Sequence, residues 1–118
     1  MVLRSMDNTK NDQYFINKII KDLSFLILHT KDLDEEKLIE NEVLLDSILF
    51  RLIQISENIK NLSEKTKEDN PQIPWISISG FRNRIVHEYR NVDLSIVYHI
   101  VKKDIYDLKD LFDSLLFI

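Results

Sequence analysis

The chain has 118 residues, a net charge of −4 and a pI near 5.3. That length makes one domain with a single small core, and the acidic balance excludes broad, sequence-independent nucleic-acid binding, which needs many phosphate contacts. No cysteine is present, which excludes disulfides, thiolate catalysis and cysteine-based zinc sites.

The segment from Met1 to Asp12 is mostly polar and lacks the apolar stretch of a signal peptide. Residues 1–10 are expected to be flexible, within one domain spanning 1–118. One glycine and two prolines leave few turn signals, and antiparallel sheets need many, so the expected class is all-α. The first amphipathic stripe is Phe15, Ile16, Ile19, Ile20, Leu23, Leu26 and Ile27, at helical spacing. His29 near its end suits a dipole partner. The apolar run Leu23 to Leu28 is too short to cross a bilayer, so a cytoplasmic location with no membrane association is expected.

Glu35, Glu36, Glu40 and Glu42 read as a solvated acidic face, with docking of a basic partner as the alternative. A second stripe runs through Leu38, Leu45, Ile48, Leu49, Leu52, Ile55, Ile59 and Leu62. A Lys- and Glu-rich stretch follows from Lys60 to Asn70, then Pro71-Gln72-Ile73-Pro74. Pro74 suits the first turn of a third helix, which is expected to turn Trp75, Ile78, Phe81, Ile85 and Val86 inward. Gly80 inside it costs up to ~1 kcal/mol relative to alanine, which close approach of another helix would offset. The helix is expected to end near Arg90-Asn91, with Asn91 in the left-handed conformation, and Asp93 to cap the next. The last stripe is Leu94, Val97, Tyr98, Val101, Ile105, Leu108, Phe112 and Leu115. His99 within it reads as a surface or interface residue. Four main helices in an antiparallel bundle result, with four to five helices in all.

Three of the five arginines fall between Arg82 and Arg90, together with His87 and Tyr89. Guanidinium forks match phosphate oxygens, and an imidazole exchanges protons near neutral pH, so the cluster suggests work on a phosphodiester. On a regular helix Arg82 and His87 lie about 140° apart and roughly 7.5 Å along the axis. One chain cannot aim both at one phosphate unless the helix end distorts, or a second chain completes the site. The dimer route is favoured, because a twofold would place two copies along one cleft. The competing reading makes Arg84 and Arg90 solvated charges and His87 a cation at a helix C-terminus, a role worth ~0.3–1 kcal/mol.

The longer string Pro74-Trp75…Ile78…Gly80-Phe81-Arg82-Asn83-Arg84-Ile85-Val86-His87-Glu88-Tyr89…Val92-Asp93 resembles the signature of HepT-like toxins in the HEPN superfamily of helical ribonucleases. In that signature Arg, four residues, His, one residue and Tyr follow a Trp and a Gly and precede Val-Asp. Where the family usually has Ile-Gly-Glu, this chain has Ile55-Ser56-Glu57. The resemblance implies a HEPN-like bundle, a homodimer, and an endoribonuclease that needs neither metal nor cofactor. It makes Arg82 and His87 catalytic, with Asn83 and Glu57 as supporting residues that orient the imidazole or shape the cleft. It further implies the toxin half of a type VII-like toxin–antitoxin module, whose partner, a minimal nucleotidyltransferase antitoxin, adds AMP to Tyr89. The alternative is a non-catalytic helical module that binds a nucleotide or docks the nucleotidyltransferase.

Overall fold

A computed structural model describes residues 8–87 and 91–116, and every described element is helical. In chain order these are α1 (Asn8–Thr30), α2 (Glu35–Glu40), α3 (Glu42–Lys60), α4 (Glu64–Asp69) and α5 (Trp75–His87). The final rod comprises α6 (Leu94–His99), a π-helical turn (Ile100–Asp104) and α7 (Ile105–Asp113). Of the segment expected to be flexible, residues 1–7 lie outside the described ones, while Asn8 already begins α1.

The long helices follow the apolar stripes. Ile16, Ile19, Leu23 and Leu26 of α1 are fully buried against Ile48, Leu49, Leu52, Ile55 and Ile59 of α3. Val97, Val101, Ile105, Phe112 and Leu115 close the core from the last rod. Three helix starts carry side-chain caps. Asp34, Asn41 and Ser63 accept from the backbone N–H of the residue three positions on, at the starts of α2, α3 and α4, and such a cap is worth ~1 kcal/mol. The second stripe is therefore broken at Asn41, which places Leu38 on the separate helix α2. The carbonyls that end α1 are met by Lys102, whose Nζ donates to Thr30 at 2.9 Å and Lys31 at 3.2 Å.

A buried carboxylate anchors the bundle at the other end of α1. Asp12 accepts from the Ser63 backbone N–H at 2.9 Å, the Ser63 hydroxyl at 2.6 Å and the Thr66 hydroxyl at 2.5 Å. It thereby fixes α4 to α1. Asp12→Ala strands these donors, and unsatisfied buried groups cost ~1–3 kcal/mol each. Urea unfolding should then lose ~2–4 kcal/mol of stability with the helical spectrum of the folded state preserved.

Three details depart from the sequence expectation. No described residue has a positive φ, so Asn91 caps nothing in the left-handed conformation; it lies in a 3₁₀ turn. Val86 points outward and is 44% exposed, because Ile85 takes the core position of that turn. Gly80 is exposed, and a β-carbon there would meet nothing within 4 Å. Among the described residues no helix makes the close approach that its presence suggested.

Helix packing leaves one edge open. α1 packs on α3 and α7, and α3 packs on α5. The members at the two ends of this series, α5 and α7, meet through the rings of Trp75 and Phe112, and their backbones otherwise stay apart. A groove opens between them, with Leu23, Leu52 and Ile55 of the core at its floor.

Candidate active site

Helix α5 carries the charged motif, and its start is held firmly. The Pro74 carbonyl accepts the Ile78 N–H at 3.1 Å. The indole N–H of Trp75 donates to the carbonyls of Lys67 (3.2 Å) and Asn70 (3.1 Å) at the end of α4. The same ring stacks edge-on against Phe112, with centroids 6.1 Å apart. Ile85, fully buried, pins the far half of the helix. These anchors fix which side chains face outward.

Arg82 leans onto α3. Its Nε and Nη2 both donate to one carboxylate oxygen of Glu57, at 2.6 and 2.5 Å, and Nη1 donates to the Asn83 side chain at 3.2 Å. Glu57 is half-buried. This fork contact removes rotamer freedom from a long side chain and aims it. Of the five guanidinium N–H groups, two remain for an incoming anion. Glu57 and Asn83 thus both hydrogen-bond Arg82, and among the described residues neither hydrogen-bonds His87.

His87 stands elsewhere on the helix surface. Its side chain is exposed, and among the described residues its ring has no hydrogen-bond partner. α5 is regular from Trp75 through His87, so the two groups keep the separation of an ideal helix and face different directions within one chain. Ser79, Asn83 and Val86 occupy the arc between them, and all three are exposed. Tyr89, together with Glu88 and Arg90, lies outside the described residues. Beyond them Asp93 caps α6; the Ser95 hydroxyl and backbone N–H both donate to its carboxylate, which holds it below the usual aspartate range.

The remaining histidines and glutamates are surface features. His29 is exposed, its ring 4.3 Å from Phe25, and Glu35, Glu36, Glu40 and Glu42 face solvent. Among the described residues no group of three or more His, Asp or Glu side chains could hold a metal ion, and no helix is long and apolar enough to cross a membrane. Arg84, a solvated charge in the competing reading of the sequence, is indeed exposed, but its surroundings were not foreseen. It lines the open groove beside Phe81, together with His99, Asp104 and Asp107 of the last rod. Nothing in the residue pattern signals that groove.

A helical bundle that exposes an Arg-x₄-His pair, the arginine braced by a carboxylate of the neighbouring helix, defines the class: a small all-α protein of HEPN-like architecture. Residues 16–115 match the ribonuclease HepT-like family, and the chain belongs to that family. A protein of Methanocaldococcus jannaschii, named as a gamma-glutamylcyclotransferase and candidate RNase, is 32% identical over 101 residues. The match covers 86% of this chain and 46% of that protein, so the chain spans less than half of that relative. A protein of Caldanaerobacter subterraneus named as a candidate RNase is 29% identical over 100 residues, covering 85% of this chain and 89% of its own. One from Thermococcus cleftensis, named a probable ribonuclease HepT, is 33% identical over 69 residues, covering 58% and 63%. No solved structure matches the chain.

Proposed function

We propose that this protein is a metal-independent endoribonuclease, and that Arg82 and His87 perform the reaction. The observation that carries the reading is the bracing of Arg82, by Glu57, on the helix that also presents the exposed imidazole of His87. The two remaining guanidinium N–H groups grip the scissile phosphate and stabilise charge building on its oxygens. His87 takes the proton from the ribose 2′-hydroxyl, or returns one to the leaving oxygen. The 2′-oxygen attacks phosphorus and the 5′-oxygen departs, which leaves a 2′,3′-cyclic phosphate.

Because Arg82 and His87 diverge within one chain, the site is completed by a second copy. Two α5 helices crossing antiparallel between Arg84 and Ile85 would bring Arg82 level with His87 of the partner subunit. The exposed arc of Ser79, Asn83 and Val86, with open space at Gly80 and Ile76 89% exposed nearby, is the surface such a pair would cover. In the full reading the homodimer is the cytoplasmic toxin of a type VII-like toxin–antitoxin module. A nucleotidyltransferase silences it by adding AMP to Tyr89, which blocks the cleft and competes for the arginines.

The test is cleavage of an oligoribonucleotide in chelator by purified dimer free of AMP. An all-RNA strand should be cut to a cyclic-phosphate end, and a strand with a deoxyribose at each step should resist. If AMP-free protein cuts no RNA, the non-catalytic binding module takes its place. Intact mass after co-expression with the nucleotidyltransferase should rise by whole AMP units, and Tyr89→Phe should remove the gain. Glu57→Ala should lower kcat about 10- to 100-fold through a misaimed Arg82. Glu57→Gln should recover part of the rate.

A further inference from the structure

The acidity of this chain is concentrated at one corner. Between Lys31 and Glu42, six carboxylates (Asp32, Asp34, Glu35, Glu36, Glu40 and Glu42) stand against two lysines, a net charge of −4. That equals the charge of the whole chain, so the other residues balance fourteen acidic against fourteen basic side chains. Among the described residues none of the six carboxylates is in an ion pair, whereas Asp22, Glu57, Asp69, Asp104, Asp107 and Asp113 each are. Helix ends explain part of this. Glu35, Glu36 and Glu42 lie in first turns, where the dipole favours an anion. Glu40 does not. It ends α2, where the dipole favours a cation, and it stands four residues from Glu36, a like-charge spacing that weakens a helix. The corner is also apolar at its surface. Ile39 is 55% exposed and Val43 81% exposed, and with Leu33, Lys37, Glu40 and Glu42 they line an open hollow where α2 meets α3. Its frame is fixed. Leu38 is fully buried, and Asn41 alone joins the two helices, its N–H donating to the Leu38 carbonyl and its side chain accepting from the Leu44 N–H at 3.0 Å.

Two exposed aliphatic side chains ringed by unpaired carboxylates match a protein segment that carries lysines or arginines around an apolar anchor. We infer that the corner between α2 and α3 docks a partner protein of that kind. Ile39 and Val43 receive the anchor, and Glu36, Glu40 and Glu42 receive the basic side chains. Other occupants fit worse by charge. RNA and anionic membrane surfaces carry the same sign as the corner. A twofold pair of chains would set this patch against its own copy, and like charges facing each other across an interface oppose association. Among the described residues no group of carboxylates could hold a metal ion. Glu57 lies fifteen residues beyond Glu42 on α3, roughly 22 Å along the axis, so the corner is a surface distinct from the Arg82 brace. The inference therefore stands apart from the ribonuclease reading. A small apolar centre with a charged rim gives fast, salt-sensitive association.

The probe is a synthetic peptide with two leucines one helical turn apart, flanked by lysines, added to the isotope-labelled full chain. Its binding should move the amide NMR signals of residues 33–43, leave those of α5 and the last rod in place, and weaken as salt is added. Glu40→Lys should weaken binding about three- to tenfold, as expected when one exposed ion pair becomes a repulsion. That variant should melt no lower than the wild type, since it turns the Glu36 spacing into an attraction and puts a cation at the end of α2. Lost binding then reports the surface and not the fold. Val43→Asp separates docking from bare attraction between charges: it should weaken binding, although it adds a negative charge that would strengthen a purely electrostatic contact. The inference is overturned if the peptide does not bind, if the moved signals scatter over the other carboxylates, or if Val43→Asp binds more tightly. It is equally overturned if a control peptide with serines in place of the leucines binds as well. If Val43→Asp instead splits an oligomer in sedimentation, a second copy covers the corner and the partner is lost.

Discussion

Replacing His87 with alanine should lower the rate of RNA cleavage by about 10²–10⁴-fold, the usual contribution of a positioned acid–base group. The same substitution should relieve growth inhibition in cells expressing the protein. Stability should stay within about 0.5 kcal/mol, as is usual for surface substitutions away from structural features, because the His87 side chain is exposed and packs into no core. Arg82→Ala should fall by a comparable factor, and Arg82→Lys should not rescue it. A lysine ammonium cannot make the fork contact to Glu57 while offering two further N–H groups to a phosphate. Cleavage assays beside thermal melts check the pair. A His87→Ala protein that is folded and cuts RNA at the wild-type rate removes the imidazole from the mechanism.

Phe112→Ala should have the largest effect on the fold, costing ~3–5 kcal/mol, as removal of a fully buried aromatic ring does. Phe112 is completely buried, and it supports the Trp75 ring, whose indole joins the end of α4 to the start of α5. Domains of this size have ~5–15 kcal/mol in total, so much of the stability would be lost. Chemical denaturation should show the midpoint falling with little change in slope. Loss below ~1 kcal/mol would mean that the neighbouring side chains refill the cavity, and that Trp75 does not depend on this ring.

The fold was largely legible in the residues because helical burial leaves a periodic trace. The stripe Ile16, Ile19, Leu23, Leu26 predicted the buried face of α1, and Asp93 read correctly as the cap of α6. The misses have local causes. Leu38 matched the phase of the α3 stripe, yet Asn41 breaks the helix there with a side-chain cap. Val86 is apolar next to Ile85, and the wheel can bury only one of two neighbours so placed. Gly80 suggested a close contact, and its surroundings within the chain are open. The π-turn left no readable sign, since the four-residue steps Val97, Val101, Ile105 suit an α-helix equally well.

The candidate site divides in the same way. Residue order alone singled out Arg82 and His87 as candidates, through the resemblance that their motif carries, and α-helical geometry gave their angular divergence. It also fixed the class, all-α and acidic, since apolar period and net charge are properties of the chain itself. Only the tertiary structure brought Glu57, twenty-five residues away, onto Arg82, and turned Asn83 to the same guanidinium. Only the packing of α5 and the last rod against α3 and α1, with their shared edge left open, made a groove from Arg84, His99, Asp104 and Asp107. Contacts between distant segments depend on how helices cross and on which gaps stay unfilled, and a linear pattern carries neither.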